Sequence, residues 1–248
     1  MRKRDFIKLK ESDLVAVAYP KSGNNFLLFL LGMLLYRKKM DWSNKASMVQ
    51  NIVGDIVPNL PSPRLVWSHE GYDPQYPKVI FLVRDPRDVV ISYYFHLIKY
   101  YYKGDKSKLS FDTFFNRFMD GKYGPGQWNS YVEGWIDNQK NIKNGLLLVR
   151  YEDLLKDTGK EVERILEFLE LKRSQKEIED AIQWASFDNM RALEQKQKMY
   201  LNGTKNVDEK MPFVRSGKVN GWKSFLSDEQ QKRMEKEFNK ALRKLGYL

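Results

Sequence analysis

The chain has 248 residues, 42% of them hydrophobic, a formal net charge of +11 and no cysteine. This length and composition suit one globular domain with a full core and exclude a mainly disordered chain. The missing cysteines exclude disulfides, thiolate metal sites and a cysteine nucleophile, and two histidines are too few for a histidine-rich metal centre. The positive charge favours an anionic partner such as a nucleotide, a nucleic acid or an acidic surface, although a lysine-rich solvated surface explains it equally well.

Strands alternate with helices along the sequence. Short apolar runs rich in Val, Leu and Ile predict strands at 13–19, 64–69, 78–84 and 146–151. Helical patterns lie between and after them, at 25–37, 86–102, 111–119, 128–141, 159–169, 175–184 and 227–245. We therefore expect a single α/β domain over residues 1–248, with a central parallel β-sheet flanked by helices, whose ligand lies at the carboxyl ends of the strands.

The apolar segments are short. The longest run, Phe26 to Tyr36, is well below the roughly 20 residues that span a bilayer. The basic N-terminus is not followed by an apolar signal segment before the first strand. The sequence therefore predicts a soluble, cytoplasmic protein without a membrane span.

Residues 19–25, YPKSGNN, connect the first strand to an apolar helix. Gly23 permits a backbone turn, so the free N–H groups and positive dipole end of the helix face outward, where they favour a phosphate-like group. Lys21 adds a cation and Ser22 a hydroxyl donor. The P-loop signature G-x-x-x-x-G-K-[ST] is absent, which indicates an anion site without a metal. An ordinary strand–turn–helix junction with an exposed lysine is the alternative.

A histidine and an arginine follow two further predicted strands. His69 ends the strand before Glu70, and a neutral imidazole at that place can accept a proton near pH 7. Arg84 ends the next apolar run, where its guanidinium needs a carboxylate or a phosphate. Asp85 and Asp88 could satisfy it, and a purely structural role for the histidine is equally open. His96 lies among aromatic residues and is interpreted as packing.

Residues 186–222 differ from the rest of the chain. They are polar and basic, with two Gly-containing turns and little periodicity after Leu193. Such long loops inside a domain are usually functional or disordered. We expect this segment to be a mobile cover over an anionic ligand, with a flexible surface excursion as the alternative.

Six motifs between residues 19 and 226 together resemble those of the PAPS-dependent sulfotransferase family, in particular the cytosolic type (PAPS is 3′-phosphoadenosine 5′-phosphosulfate). They are YPKSGNNF, WSHEG, LVRDPRDVVISYYFHL, VRYEDLL, ASFDNM and FVRSGKVNGWKSFL. The resemblance implies a P-loop-NTPase-like sulfotransferase fold. It also implies metal-independent transfer of a sulfuryl group from PAPS to a hydroxyl or amine of a small molecule, with 3′-phosphoadenosine 5′-phosphate (PAP) as product.

The resemblance also assigns roles to residues. His69 becomes the catalytic base, with Glu70 as the next candidate, and Lys21 becomes the catalytic cation at the departing phosphate. The loop that would hold the 5′-phosphosulfate consists of Lys21, Ser22, Gly23, Asn24, Asn25 and Phe26. The remaining nucleotide-binding residues that it implies are Arg84, Ser92, Tyr151, Ser186, Phe187, Met190, Arg215, Ser216 and Gly217.

The chain departs from the family at several of these motifs. Asn24 and Asn25 replace a threonine pair, and Trp67 stands where animal members carry a lysine beside the catalytic histidine. Ser216 replaces a lysine. The usual dimer motif reads KSFLSDEQQK, with Lys232 at a glutamate position, so we expect a monomer or a non-standard dimer.

The acceptor is less defined. Aromatic residues cluster in SYYFHLIKYYYKG and FDTFFNRFMDGKYGPGQW. Those on one face of each helix must pack in the core, and the rest could line an apolar pocket for an apolar or aromatic small molecule.

Two other functions stay open: a small-molecule kinase, which would need a hydroxyl after Gly-Lys to bind Mg²⁺, and a protein that uses its charge to bind nucleic acid. The motifs favour an enzyme that does not bind nucleic acid.

Overall fold

The structure is a computed structural model that describes residues 6–198 and 207–248. Within these residues there are five strands: β1 Leu14–Ala18, β2 Val49–Asn51, β3 Leu65–Ser68, β4 Lys78–Val83 and β5 Leu146–Arg150. The α-helices are α1 Asn24–Tyr36, α2 Pro86–Tyr101, α3 Phe111–Met119, α4 Trp128–Asp137, α5 Tyr151–Lys156, α6 Thr158–Phe168, α7 Gln175–Ala185, α8 Phe187–Lys196, α9 Asp228–Glu237 and α10 Asn239–Lys244. Short 3₁₀ turns lie at Lys45–Ser47, Lys106–Lys108, Gln139–Asn141 and Gly221–Ser224.

The five strands form one parallel sheet in the order β2-β3-β1-β4-β5. The central strand β1 pairs with β3 on one side, with Val15 opposite Val66, and with β4 on the other, with Val15 opposite Val79. After β1 the chain passes to β2 and β3 on one side of it, and after β4 it passes to β5 on the other side. The connections that follow the neighbouring strands β1 and β4 therefore diverge and leave a crevice between them. Such a crevice at the carboxyl edge is where ligands bind in parallel α/β sheets.

The sequence of β1, LVAVA, explains why it occupies the centre. Every residue of the strand is buried, as expected for a strand covered by helices on both faces. Val15 and Val17 face a core that includes side chains of α2, α3, α4, α9 and α10. Ala16 and Ala18 face a second core with side chains of α1, α5, α6, α7 and α8. The α/β class with helices on both faces of a parallel sheet is therefore confirmed.

Several boundaries differ from the predicted ones. The edge strand β2 was missed because it has three residues, of which Gln50 and Asn51 are polar. The helix predicted at 227–245 is interrupted at Phe238, where the backbone has φ −104° and ψ 13°. The helix predicted at 128–141 ends at Asp137 and continues as a 3₁₀ turn. Within the described ranges, no helix combines the length and hydropathy needed to cross a bilayer.

Candidate active site

The turn between β1 and α1 has the geometry of an anion site. Helix α1 begins at Asn24 after Gly23, whose φ is 102°. A Cβ atom on Gly23 would lie 2.5 Å from the ring of Tyr151, so only glycine fits between the loop and that ring. Ser22 is fully buried, and its Oγ has no hydrogen-bond partner among the described residues. The N-terminus of α1 beside it favours an anionic ligand through its dipole and its N–H groups.

Lys21 lies in the same turn and forms no ion pair with any described residue. Its backbone has φ 73°, and its Nζ lies 4.7 Å from the centroid of the Phe213 ring. Burial lowers the pKa of Lys21 to about 8, and the charges of Arg84, Arg215 and Lys45 contribute in the same direction. Desolvation and neighbouring cations both disfavour the ammonium form, so an anion bound here would be stabilised by Lys21 and would raise its pKa.

Arg84 follows β4 and extends beneath the same loop. Its guanidinium stacks 4.4 Å from the centroid of the Tyr151 ring. Nη2 donates to the Lys218 carbonyl at 3.0 Å, and Nη1 lies 3.4 Å from the Lys21 carbonyl. Its Nε is buried without a hydrogen-bond partner in the part of the chain that the structure describes.

The two aspartates beside Arg84 are used elsewhere. Asp85 caps α2 and forms a buried ion pair with Arg87, at 2.7 Å between Oδ2 and Nη2. Asp88 accepts hydrogen bonds from the amides of Asn220 and Trp222. The sequence left open whether Arg84 pairs with one of these carboxylates. No such pair occurs among the hydrogen bonds and ion pairs of residues 6–198 and 207–248. The guanidinium therefore keeps capacity for a ligand.

His69 stands directly after β3 with its ring held by the neighbouring strand. Its Nδ1 lies 2.5 Å from the carbonyl oxygen of Ala18. Since a carbonyl can only accept, Nδ1 carries the proton and Nε2 keeps its lone pair. Burial lowers the pKa of His69 to about 4, the hydrogen bond to Ala18 opposes this, and the charges of Lys21 and Lys45 lower it further. The imidazole is therefore neutral at physiological pH.

These groups line one cavity of about 410 Å³. Most residues predicted to bind the donor contribute to its wall: Lys21, Gly23, Asn24, Asn25, Phe26, His69, Arg84, Ser92, Tyr151, Phe187, Met190, Arg215, Ser216 and Gly217. Two predicted residues are placed differently. Ser22 lies buried under the loop, and Ser186 caps α8, where its Oγ accepts a hydrogen bond from the amide of Asn189 at 3.3 Å. Neither is among the cavity-lining residues of the described chain.

The segment predicted to cover the ligand supplies part of this wall. Its first residues form α8, residues 199–206 lie outside the described ranges, and residues 207–222 return across the carboxyl edge of the sheet. Three buried charged side chains bind its backbone. Lys99 donates to the carbonyls of Asp208 and Met211, Glu194 accepts from the amides of Phe213 and Val214, and Asp88 accepts from those of Asn220 and Trp222. The predicted mobility of this segment stays a prediction.

A second cavity of about 480 Å³ adjoins the first. The two share the side chains of Asn25, Lys45, Trp67 and Phe213. The outer wall of the second cavity is the loop after β2, which Gln50 fixes: its Oε1 accepts from the amide of Val57 and its Nε2 donates to the Asp55 carbonyl. Apolar side chains from Trp42, Val49, Val53 and Val57 complete it, so a predominantly apolar molecule could enter beside His69.

Sequence reasoning missed several cavity residues. His96, interpreted as packing, does pack on Tyr100 at 4.7 Å between ring centroids, but it also lines the first cavity, and its buried Nδ1 has no partner among the described residues. Lys45 and Phe213 line both cavities. Lys45 belongs to no predicted element or motif, so no local pattern marks it, whereas Phe213 is the first residue of the motif FVRSGKVNGWKSFL and could have been found there. One cavity thus contains Lys21, Lys45, Arg84 and Arg215 opposite a neutral imidazole, an arrangement that can bind a polyanion and remove a proton.

Comparison with known proteins gives three kinds of match. Residues 11–246 match the family model described as the sulfotransferase domain. The amine sulfotransferase of Oryctolagus cuniculus is 27% identical, over 98% of this chain and 85% of that protein. Human sulfotransferase 2A1 is 28% identical, over 96% of this chain and 87% of that protein.

Solved structures share the fold. A mouse sulfotransferase complexed with PAP superposes with a TM-score of 0.74 at 22% identity, covering 95% of this chain and 85% of that one. A retinol dehydratase in a complex with retinol and PAP gives a TM-score of 0.77 at 18% identity, covering 95% and 82%. At these identities the likeness concerns the fold.

Proposed function

The chain belongs to the sulfotransferase domain family, and we propose that it transfers a sulfuryl group from PAPS to a hydroxyl or amine of a small molecule, with His69 as the base. The observation that carries the proposal is that one cavity contains a neutral histidine and four cations that form no ion pair within the described residues. The cations can bind a polyanionic donor, and the histidine can accept the proton that the attacking nucleophile loses.

The donor chemistry fits the unsatisfied groups of the site. A 5′-phosphosulfate suits the turn at Lys21, where a cation and the N-terminus of α1 both line the cavity. A 3′-phosphate suits Arg84 and Arg215, because the buried Nε of Arg84 lacks a partner and Arg215 stacks on Phe95 without an ion pair in the described residues. PAP is the ligand of both structural relatives described above, which supports this donor.

The position of Gly217 suits an adenine ring. Gly217 has φ 59°, and a Cβ atom there would lie 2.3 Å from the ring of Phe187. Phe187 therefore packs directly against Gly217, and with Met190 of α8 it lines the cavity. An aromatic and a thioether side chain form an apolar wall on which a planar base can pack.

The chemistry requires little of the protein beyond position and charge. His69 Nε2 accepts the proton of the acceptor as its oxygen or nitrogen attacks sulfur, and the Ala18 carbonyl holds the ring for this step. The bond between sulfur and the bridging phosphate oxygen breaks, and the phosphate keeps the electron pair. Lys21 and the N-terminus of α1 stabilise that negative charge. No step calls for a metal or a covalent enzyme intermediate.

The second cavity is the proposed acceptor site. His69 lines the donor cavity, and the ring of the shared Trp67 lies 5.0 Å from that of His69, so an acceptor that extends past Trp67 into the donor cavity approaches the base. The apolar lining of the second cavity favours an apolar or aromatic acceptor that carries one hydroxyl or amine. One relative is named an amine sulfotransferase and another was solved with retinol, which supports a small molecule of this kind.

Thermal unfolding with nucleotides tests the donor, and labelled PAPS then tests the acceptor. PAP should raise the Tm of the protein, whereas ATP with Mg²⁺ should leave it unchanged. Transfer of ³⁵S from PAPS to members of a library of phenols, alcohols and amines would identify the acceptor. Stabilisation by ATP–Mg²⁺ but not by PAP would favour a kinase and refute the proposal, as would steeply salt-dependent affinity for nucleic acid without any nucleotide binding.

A further inference from the structure

Lys45 is a half-buried cation at the junction of the two cavities. It begins the 3₁₀ turn Lys45–Ser47, and its Nζ donates to Asn25 Oδ1 at 2.5 Å. The same Nζ lies 5.7 Å from the centroid of the Trp67 ring. Its partners among the described residues are thus a neutral amide and an aromatic face, and burial lowers its pKa to about 8.

A desolvated ammonium without a carboxylate is costly, because the ring and the amide replace only part of its hydration. Such a group is expected where an anion binds. Lys45 lies between the loop and the base, since it donates to Asn25 of the loop and lies over Trp67, whose ring is 5.0 Å from that of His69. The anion that satisfies Lys45 therefore lies between the loop and the imidazole, at the place of the transferred group.

Asn25 fixes the direction of this lysine. Because its Oδ1 accepts from Lys45, the opposite end of the amide, Nδ2, remains available to donate to the phosphate at the start of α1. Asn25 lines both cavities, as Lys45 does. The pair thus connects the phosphate end of the site to the acceptor end.

We propose that Lys45 is a catalytic residue that binds a non-bridging oxygen of the sulfuryl group in PAPS and keeps hold of it during transfer. The proposal rests on the function proposed above. In that reaction an acceptor–sulfur bond forms, the sulfur–phosphate oxygen bond breaks with its electron pair on the phosphate, and the acceptor proton moves to His69. The non-bridging sulfuryl oxygens carry negative charge throughout the transfer. Lys45 stabilises that charge, while Lys21 stabilises the charge on the departing phosphate.

Binding constants for PAPS and PAP test this role without an acceptor. The two nucleotides share the adenosine and both phosphates and differ by the sulfuryl group. Lys45→Met keeps the aliphatic stem and removes the charge, so we expect the Kd for PAPS to rise about tenfold or more, while the Kd for PAP stays within about twofold. Calorimetric titration of the same protein with each nucleotide measures both.

Lys39→Met is the matched control, because Lys39 also lies over a tryptophan ring, that of Trp184 at 4.7 Å, but outside both cavities. It should change neither Kd. An equal rise for PAPS and PAP in Lys45→Met would assign Lys45 to the phosphate and overturn the proposal, and so would unchanged binding of PAPS. A wild-type protein that binds neither nucleotide would instead refute the proposed function itself.

Discussion

The Nδ1 atom of His69 lies 2.5 Å from the carbonyl oxygen of Ala18, the last residue of the central strand. This contact joins the ends of two neighbouring parallel strands, β1 and β3. It fixes both the tautomer and the orientation of the imidazole, because the carbonyl accepts only from a protonated Nδ1. A base oriented by the backbone needs no acidic partner, and its basicity is then set by burial and by the surrounding cations.

Replacing His69 with alanine should remove the base but leave the donor site intact. We expect kcat to fall by about 10²–10⁴-fold, the usual contribution of general base catalysis. The Kd for PAP should stay within about twofold, since the nucleotide-binding groups lie on other elements. Steady-state kinetics and calorimetry on the same preparation give both values. A kcat near that of the wild type would refute the assignment, and Glu70 would become the next residue to replace.

The dependence of kcat/KM on pH should follow the shifted pKa values of the free protein. His69 must be neutral, and its pKa of about 4 places the acid limb far below the ordinary histidine value of 6.5. Lys21 and Lys45 must be charged, and their pKa values of about 8 place the loss of activity above that pH. Bound donor favours the charged lysines, so the alkaline limb of kcat itself should lie at higher pH than that of kcat/KM.

Rates from about pH 3 to pH 10 with a non-ionising acceptor test this expectation. An acid limb centred near 6.5 would contradict it. Lys45→Met provides an internal check, because the lysine charge lowers the pKa of both Lys21 and His69. Removing that charge should raise both pKa values and move both limbs to higher pH.

Substitution of Arg84 should distinguish the two phosphates of the nucleotide. Arg84→Met removes the guanidinium whose Nε lacks a partner, so the Kd for PAP should rise by about 10–100-fold. Adenosine 5′-monophosphate lacks the 3′-phosphate, and its Kd should change by less than about threefold. Isothermal titration with the two nucleotides makes the comparison. An equal loss for both would mean that Arg84 supports the loop through its hydrogen bonds to the Lys21 and Lys218 carbonyls and does not bind the 3′-phosphate.

The sequence predicted the framework of this site because its features are local. A turn with Gly23 between an apolar strand and an apolar helix, and a polar residue after each of two further strands, follow from patterns of a few residues. The freedom of Arg84 could not be predicted, since Asp85 and Asp88 are adjacent in sequence and were equally good partners. It depends on Arg87 and on the amides of Asn220 and Trp222, which hold these carboxylates elsewhere.

Lys45 shows the other limit of sequence reasoning. Its surroundings, SNKASM, resemble any polar connection, and nothing in them indicates burial. The side chain is half-buried because the unpredicted strand β2 begins two residues after its 3₁₀ turn and places this connection against Trp67 of β3. The family motifs include Asn25, Trp67 and Phe213 of the wall between the cavities, whereas Lys45, the fourth shared residue, lies outside every motif.

Substitution of Gly23 tests the anion-binding turn. Comparison with a second glycine separates the effect of backbone strain from the effect of displacing side chains of the site. Gly23 and Gly126 have nearly the same backbone angle, φ 102° and 106°, but a Cβ atom would meet the Tyr151 ring at 2.5 Å in the first and nothing within 4 Å in the second. Both alanine variants should lose about 1–2 kcal/mol of stability from the positive φ.

Gly23→Ala alone should also displace the Tyr151 ring, and with it the guanidinium of Arg84 stacked on that ring. We therefore expect its Kd for PAP to rise more than about tenfold, because the phosphate-binding groups must be held in place to contribute fully. Gly126→Ala should bind PAP as the wild type does once the binding is measured well below its Tm. Equal PAP affinities in the two variants would show that the turn at Gly23 does not position the nucleotide, and that the anion is bound elsewhere in the cavity.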